Sequence, residues 1–361
     1  MNSLPVRFPR LNRSHRRSGM MALTEIIVIV AALMVVWWTG SRVVSLSNGD
    51  MAAHAATSRA CSDRPVYRLS MEESGKRLWI FRPAQEVAGL SLRTEQIDKV
   101  RSQLGVALMT AAHSRDGTTS LLVTHGNALY LEREGSDPVW KEFPGEISRP
   151  VDVAVSNDGS VAIAALSDGI VRGWMVIDSR AEAFEYRLPN SQKLVRMCMD
   201  GDGLRILVAY RGGQISIHEA RTGKSLCDVP NETHECTAAA WSVDGRQVAI
   251  ATTDGAIGLI DLASCQRVWD TKSGNLRREL MHVATLAISP DGCWIAAGGL
   301  SPQCYVWNVA APTEVHKLSG HDGLVRAVAF APHEKRLYTG GLDGTIREWS
   351  LETLTSLRTF E

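Results

Sequence analysis

Seven cysteines, Cys61, Cys198, Cys227, Cys236, Cys265, Cys293 and Cys304, are the side chains best suited to metal or thiol chemistry. No two stand at C-x-x-C spacing, so they form neither a zinc ribbon nor a dithiol redox motif. In an oxidising compartment Cys227 and Cys236 could clip one strand-connecting loop. Otherwise these residues read as small buried apolar side chains. The sequence contains no G-x-S-x-G, H-E-x-x-H, P-loop or G-x-G-x-x-G, the motifs that would point to a nucleophile, a zinc site or a nucleotide. Asp158-Gly159, Asp244-Gly245 and Asp291-Gly292 do not continue as D-x-D-x-D-G with a glutamate at the twelfth position, so they are turns and not calcium loops. The residue types therefore imply no metal, no cofactor and no catalytic residue, and the chain reads as a non-enzyme.

The elements that carry these residues fall into two parts. The 361 residues hold 39 Lys+Arg and 39 Asp+Glu. Residues 1–50, however, carry six arginines against two acids, which leaves the remainder mildly acidic. That balance argues against a nucleic-acid binder. Arg7, Arg10, Arg13, Arg16 and Arg17 lead without any acid into the apolar run Ile26 to Trp38. As a helix this run rises about 20 Å, and extension back to Met20 brings it to about 28 Å, close to the hydrocarbon core of a bilayer. A basic flank followed by an apolar run is the layout of an export signal or signal anchor. The arginines hold the N-terminus in the cytoplasm and place the rest outside. Trp37 and Trp38 sit where interfacial aromatic residues belong. The expected organisation is a basic leader at 1–19, a transmembrane helix or signal anchor at 20–44, a flexible tether at 45–62 and a folded domain at 63–361.

Beyond residue 60 the chain repeats. Turns at Glu73-Ser74-Gly75, Arg115-Asp116-Gly117, Asn157-Asp158-Gly159, Gly201-Asp202-Gly203, Val243-Asp244-Gly245 and Pro290-Asp291-Gly292 recur every 42 to 47 residues, and Pro332-His333-Glu334 keeps the rhythm without its glycine. A second series, beginning at Gly126, follows with matching spacings. Between the markers lie apolar runs of four or five residues such as Val161–Ala165, the length of a strand buried on both faces. Four short strands per unit, locally connected, describe a propeller blade.

Units of this length ending in a bulky residue followed by a polar one resemble WD40 repeats. The last unit carries the resemblance best, with Ser319-Gly320-His321, Leu337-Tyr338-Thr339-Gly340-Gly341-Leu342-Asp343-Gly344 and Trp349-Ser350, and the sixth matches at Ser289-Pro290-Asp291-Gly292 and Trp307-Asn308. The resemblance covers roughly residues 62–361. It implies an all-β, seven-bladed ring in which His321, Thr339, Asp343 and Trp349 form a structural hydrogen-bond network in the last blade. We expect the C-terminal strand, Ser356 to Glu361, to complete the first blade and so close the ring. The leader also partly resembles a prepilin signal. Gly19 would precede the cleaved bond, Met20 stands where phenylalanine is usual, and Glu25 falls one residue beyond the usual place. An A-x-A site at Ala53-His54-Ala55 is the alternative cleavage point, and an uncleaved signal anchor fits best.

The resemblance implies a protein-interaction platform. Arg149, Asp152, Arg196, Glu235, His282 and Arg326 fall at or near the start of blades, where the family exposes contact residues, and are the candidate partner-binding rim. The expected protein is a single-pass membrane-tethered scaffold, its ring outside the cytoplasm, with unidentified protein partners. A channel-mouth ligand binder or enzyme and a pilin-like subunit with a propeller head are the alternatives.

Overall fold

The computed structural model describes residues 66–82, 86–101, 108–133, 148–177, 180–189, 193–230, 234–271, 280 and 282–360. The leader, the apolar run and the tether lie outside these residues. Among the described residues no helix is long and apolar enough to cross a membrane.

The described chain forms seven antiparallel sheets whose strands pair in chain order. Blade one comprises Arg68–Met71, Arg77–Arg82, Glu86–Ser91 and Gln96–Arg101; blade two has three described strands, Leu108–His113, Thr119–Thr124 and Leu129–Arg133. Blade three runs from Pro150–Val155 to Arg180–Arg187, blade four from Leu194–Met199 to Ser225–Val229, and blade five from Cys236–Trp241 to Gln266–Asp270. Blade six runs from Val283–Ile288 to Val315–Ser319, and blade seven from Val325–Phe330 to Ser356–Phe360.

Burial follows the order of strands within a blade. Every residue of the second strands Thr119–Thr124 and Val161–Leu166 is buried, because both faces of the sheet pack against neighbouring blades. The fourth strands Ser225–Val229 and Ser356–Phe360 are mostly exposed. The turn after each first strand is held by a polar clasp. In blade three Ser156 Oγ donates to Asp158 (2.7 Å) and accepts the Val161 amide (2.9 Å). Gly159 stands at φ +70°, a left-handed conformation that glycine adopts without a Cβ clash. Ser242 with Asp244 and Ser289 with Asp291 repeat the device, so these aspartates are turn residues.

Closure differs from the sequence expectation. The C-terminal strand Ser356–Phe360 pairs with Ile346–Ser350 as blade seven's own fourth strand, and blade one already owns four strands. The ring closes by side-chain packing and the first strands instead. Seven apolar clusters fill the blade junctions, and one of them joins Val66, Leu78, Ile80 and Leu90 of blade one to Ala327, Tyr338, Ile346 and Phe360 of blade seven. The Val66 amide donates to the Gly341 carbonyl at 3.0 Å. On the outside, Arg358 reaches across to the Leu92 carbonyl (3.3 Å) and Glu95 (3.0 Å) while also pairing with Glu348, a carboxylate buried in blade seven and held from the other side by Arg336.

The cysteine pairing is also corrected. Cys227, on the fourth strand of blade four, is bonded to Cys265, in the last turn of blade five, and not to Cys236, which is a buried free thiol. The bond joins the fourth strand of blade four to the turn that leads into the fourth strand of blade five, two residues 38 apart in sequence.

Candidate functional site

The first strand of each blade lines the central channel, and it starts at one mouth of the ring. In blades two to seven its register slips at the second residue, between Leu108 and Thr110, Pro150 and Asp152, Leu194 and Arg196, Cys236 and Ala238, Val283 and Thr285, and Val325 and Ala327. A β-bulge releases one residue from the ladder and re-aims its neighbours. Because the slip recurs at the same point, it sets a ring of side chains just inside the mouth. Arg326 is the bulged residue of blade seven, and Asp152 and Arg196 directly follow the bulges of blades three and four.

Those three residues converge there with Arg68 of blade one. Arg68 donates through Nη2 to Asp152 Oδ1 at 2.7 Å and through Nη1 to the carbonyls of Ala111 (3.0 Å) and Val153 (3.3 Å), so it spans blade two to reach blade three. Arg196 approaches Asp152 Oδ2 at 3.5 Å and donates to the Thr237 carbonyl of blade five at 2.5 Å. The Asp152 side chain is buried (7% exposed) between two arginines that are 41% and 32% exposed, so the carboxylate lies inside and the guanidinium groups face the opening. Arg326 stands with its guanidinium 6.0 Å from the Tyr67 ring centroid. Burial pulls its pKa below the usual arginine value, Tyr67 opposes that shift, and the nearby charge of Arg196 adds to it. Two arginines therefore pair with the one carboxylate, and the third, Arg326, stands near Arg196 without a carboxylate of its own among the described residues.

The other rim candidates sit differently. Arg149, Glu235 and His282 immediately precede the first strands of blades three, five and six, on the leading loops and not on the strands. Arg149 and His282 are exposed and Glu235 is half-buried. The carbonyls of Arg149 and Glu235 accept the Ser167 and Thr253 amides at 2.9 Å, which fixes the loops to the following hairpins. The sequence reading missed Arg68 and Tyr67. Aligning the units on their turn glycines would have found Arg68, because Arg68, Thr110, Asp152 and Arg196 all lie seven residues ahead of Gly75, Gly117, Gly159 and Gly203.

In blade seven, Trp349 Nε1 donates to Thr339 Oγ1 (2.8 Å), which lies 2.7 Å from His321 Nε2, and His321 Nδ1 lies 3.0 Å from Asp343 Oδ2. Asp343 also accepts the amides of Asp322 (2.9 Å) and Thr345 (3.0 Å). Burial pushes its carboxyl up, but the hydrogen bond and charge of His321 and the bonds from Thr345 outweigh this and hold it well below the usual carboxylate range. Every polar atom of the network is engaged inside the blade, so the group joins two strands to the leading loop and presents no proton-transfer face. Blade five keeps only a remnant, with His234 3.9 Å from Asp254 and Ile260 where blade seven has tryptophan. In blade four the same position is His218, buried between Ser216 Oγ (2.7 Å) and the Gly223 carbonyl (3.0 Å). Among the described residues no three His, Cys, Asp or Glu side chains are grouped to hold a metal ion.

Comparison with known proteins places WD domain, G-beta repeats (WD40) at residues 274–308 and 312–350, which carry blades six and seven. FIZZY-RELATED 2 of Arabidopsis thaliana is 26% identical over 204 residues, 45% of this chain and 42% of that protein. WD repeat-containing protein 82 of Drosophila melanogaster is 25% identical over 238 residues, 62% of this chain and 68% of that protein. The chain thus spans less than half of the first relative's length. Among solved structures, the Myceliophteria thermophila Cps50 (Swd1) β-propeller domain superposes with a TM-score of 0.68 at 17% identity, covering 80% of this chain and 98% of that one. That likeness shows the fold. The chain carries WD40 repeats in a seven-bladed β-propeller.

Proposed function

We propose that this propeller is a non-enzymatic protein-interaction scaffold, tethered to a membrane by its N-terminal segment, whose docking face is the channel mouth lined by Arg68, Asp152, Arg196 and Arg326. The convergence of these four side chains from four different blades on one opening carries the reading. WD40 propeller relatives point the same way, toward a rigid ring that presents fixed loops to a partner. Arg149, Glu235 and His282, on the leading loops, extend this face outward.

The membrane tether rests on the sequence, where an arginine-rich, acid-free flank precedes the apolar run. An oxidising location for the ring is supported by the Cys227–Cys265 bond, since structural disulfides persist outside the cytoplasm and are rare within it. N-terminal sequencing of the mature protein separates this reading from the pilin-like one, which requires a chain beginning at Met20.

The docking face is tested by quantitative capture from solubilised membranes with the full chain, comparing wild type with Arg326→Glu and with Arg246→Glu. Arg246 is highly exposed in the turn at the far end of a first strand, on the opposite side of the ring. The reading predicts partners lost with Arg326→Glu and kept with Arg246→Glu. The reverse pattern, or identical capture by all three proteins, would overturn it.

A further inference from the structure

We infer that the channel mouth is an oxyanion-binding site, in which Arg326 and Arg196, backed by Arg68, hold a carboxylate or phosphate group. The inference deepens the docking-face reading and rests on it for the source of the anion, not for the site itself.

Asp152 cannot neutralise all three arginines. Its Oδ1 is taken by Arg68 Nη2 (2.7 Å) and the Val153 amide (3.2 Å), and its Oδ2 by Arg196 (3.5 Å) and the Met197 amide (3.5 Å). Arg196 Nε is buried with no acceptor. Arg326 makes no hydrogen bond or ion pair among the described residues, and its neighbour is the face of Tyr67. A half-buried guanidinium without a counter-charge has lost hydration that nothing in the ring replaces, whereas an anion in the lumen would restore it. The planar fork of arginine matches two oxygens of a carboxylate or phosphate, and such charge-assisted pairs are the stronger hydrogen bonds.

The side chains beside these groups in the first strands are short. The positions in register with Asp152 and Arg196 are Thr110, Ala238, Thr285 and Ala327 in blades two, five, six and seven, all too short to bridge the channel. The partial exposure of Arg68 and Arg196 keeps the cluster reachable by a solute.

The test is calorimetric titration of the full chain at fixed ionic strength with inorganic phosphate, with a glutamate-rich peptide and with the same peptide carrying glutamine. Saturable binding of phosphate, weakened by about tenfold or more in Arg326→Met and largely restored in Arg326→Lys, supports a site for free anions. Binding of the glutamate peptide alone, with the same dependence on residue 326, supports an acidic segment of a partner. Thermal unfolding of each variant checks that the ring is intact, and Arg326→Gln repeats the test if Arg326→Met is unstable. Binding by neither probe, equal binding of both peptides, or undiminished binding without the charge at 326 overturns the oxyanion site. If that happens while capture still depends on the mouth face, the docking reading stands. If phosphate binds as expected while partners depend on Arg246, only the docking reading fails.

Discussion

Removing the bond between Cys227 and Cys265 should loosen the junction between blades four and five. The bond closes a loop over a sequence separation of 38 residues. In the chain-entropy description, releasing that loop returns about 13 cal/mol/K to the unfolded chain, or about 4 kcal/mol at 25 °C. This is a ceiling, since the unfolded state is more compact than the ideal chain. In a domain this large each kcal/mol moves Tm by about 2–4 °C, so the expected loss is on the order of 5–15 °C. The assay is thermal unfolding with and without reductant for wild type, Cys227→Ser, Cys265→Ser and the double variant. The two single variants and the double should unfold together, because each removes the same bond, and reductant should lower only the wild type to meet them. Equal midpoints for wild type and variants, or a loss in Cys236→Ser in place of Cys265→Ser, would refute the inter-blade bond.

Three further outcomes follow from the same geometry. In the blade-seven network, Trp349→Phe removes one donor to Thr339 and should cost about 1 kcal/mol in urea unfolding, with His321→Ala costing more because it strands Asp343 and Thr339 together. Burial lowers the pKa of His218 in the fold, so the unfolded chain takes up the proton first. Stability should be complete above pH 6.5 and fall as the pH drops from there toward the folded-state pKa, and His218→Leu should flatten that slope. A methyl group at Gly340 would collide with the Val66 side chain at the junction of blades one and seven, so Gly340→Ala should destabilise the ring by about 1–3 kcal/mol. A neutral result there would argue against closure through the first strands.

The repeat rhythm was legible because one local need, a left-handed residue in the turn after each first strand, selects glycine at Gly75, Gly117, Gly159, Gly203, Gly245 and Gly292. Closure was misread because blade one lacks the second glycine marker, which hid the strands Glu86–Ser91 and Gln96–Arg101 and made the C-terminal strand look surplus. Phe360 and Arg358 do face blade one, but through side chains and not through a shared ladder. The Cys227–Cys265 contact spans two blades, so spacing along the chain favoured the nearer Cys236. Asp152, Arg196 and Arg326 stood out as charges near blade starts. Arg68 did not, because its partners are 43 to 85 residues away and meet it only through the bulged first strands.

The central claim is that one mouth of the ring is where partners dock. The most direct measurement places a photo-crosslinking side chain in the full-length protein, either at exposed residues of the leading loops, Arg149 and His282, or at exposed turn residues of the opposite side, Leu204 and Val243. The account predicts partner adducts from positions 149 and 282 that disappear when Arg326→Glu is added, and none from 204 or 243. Adducts confined to 204 and 243, or unaffected by the charge at 326, would contradict it.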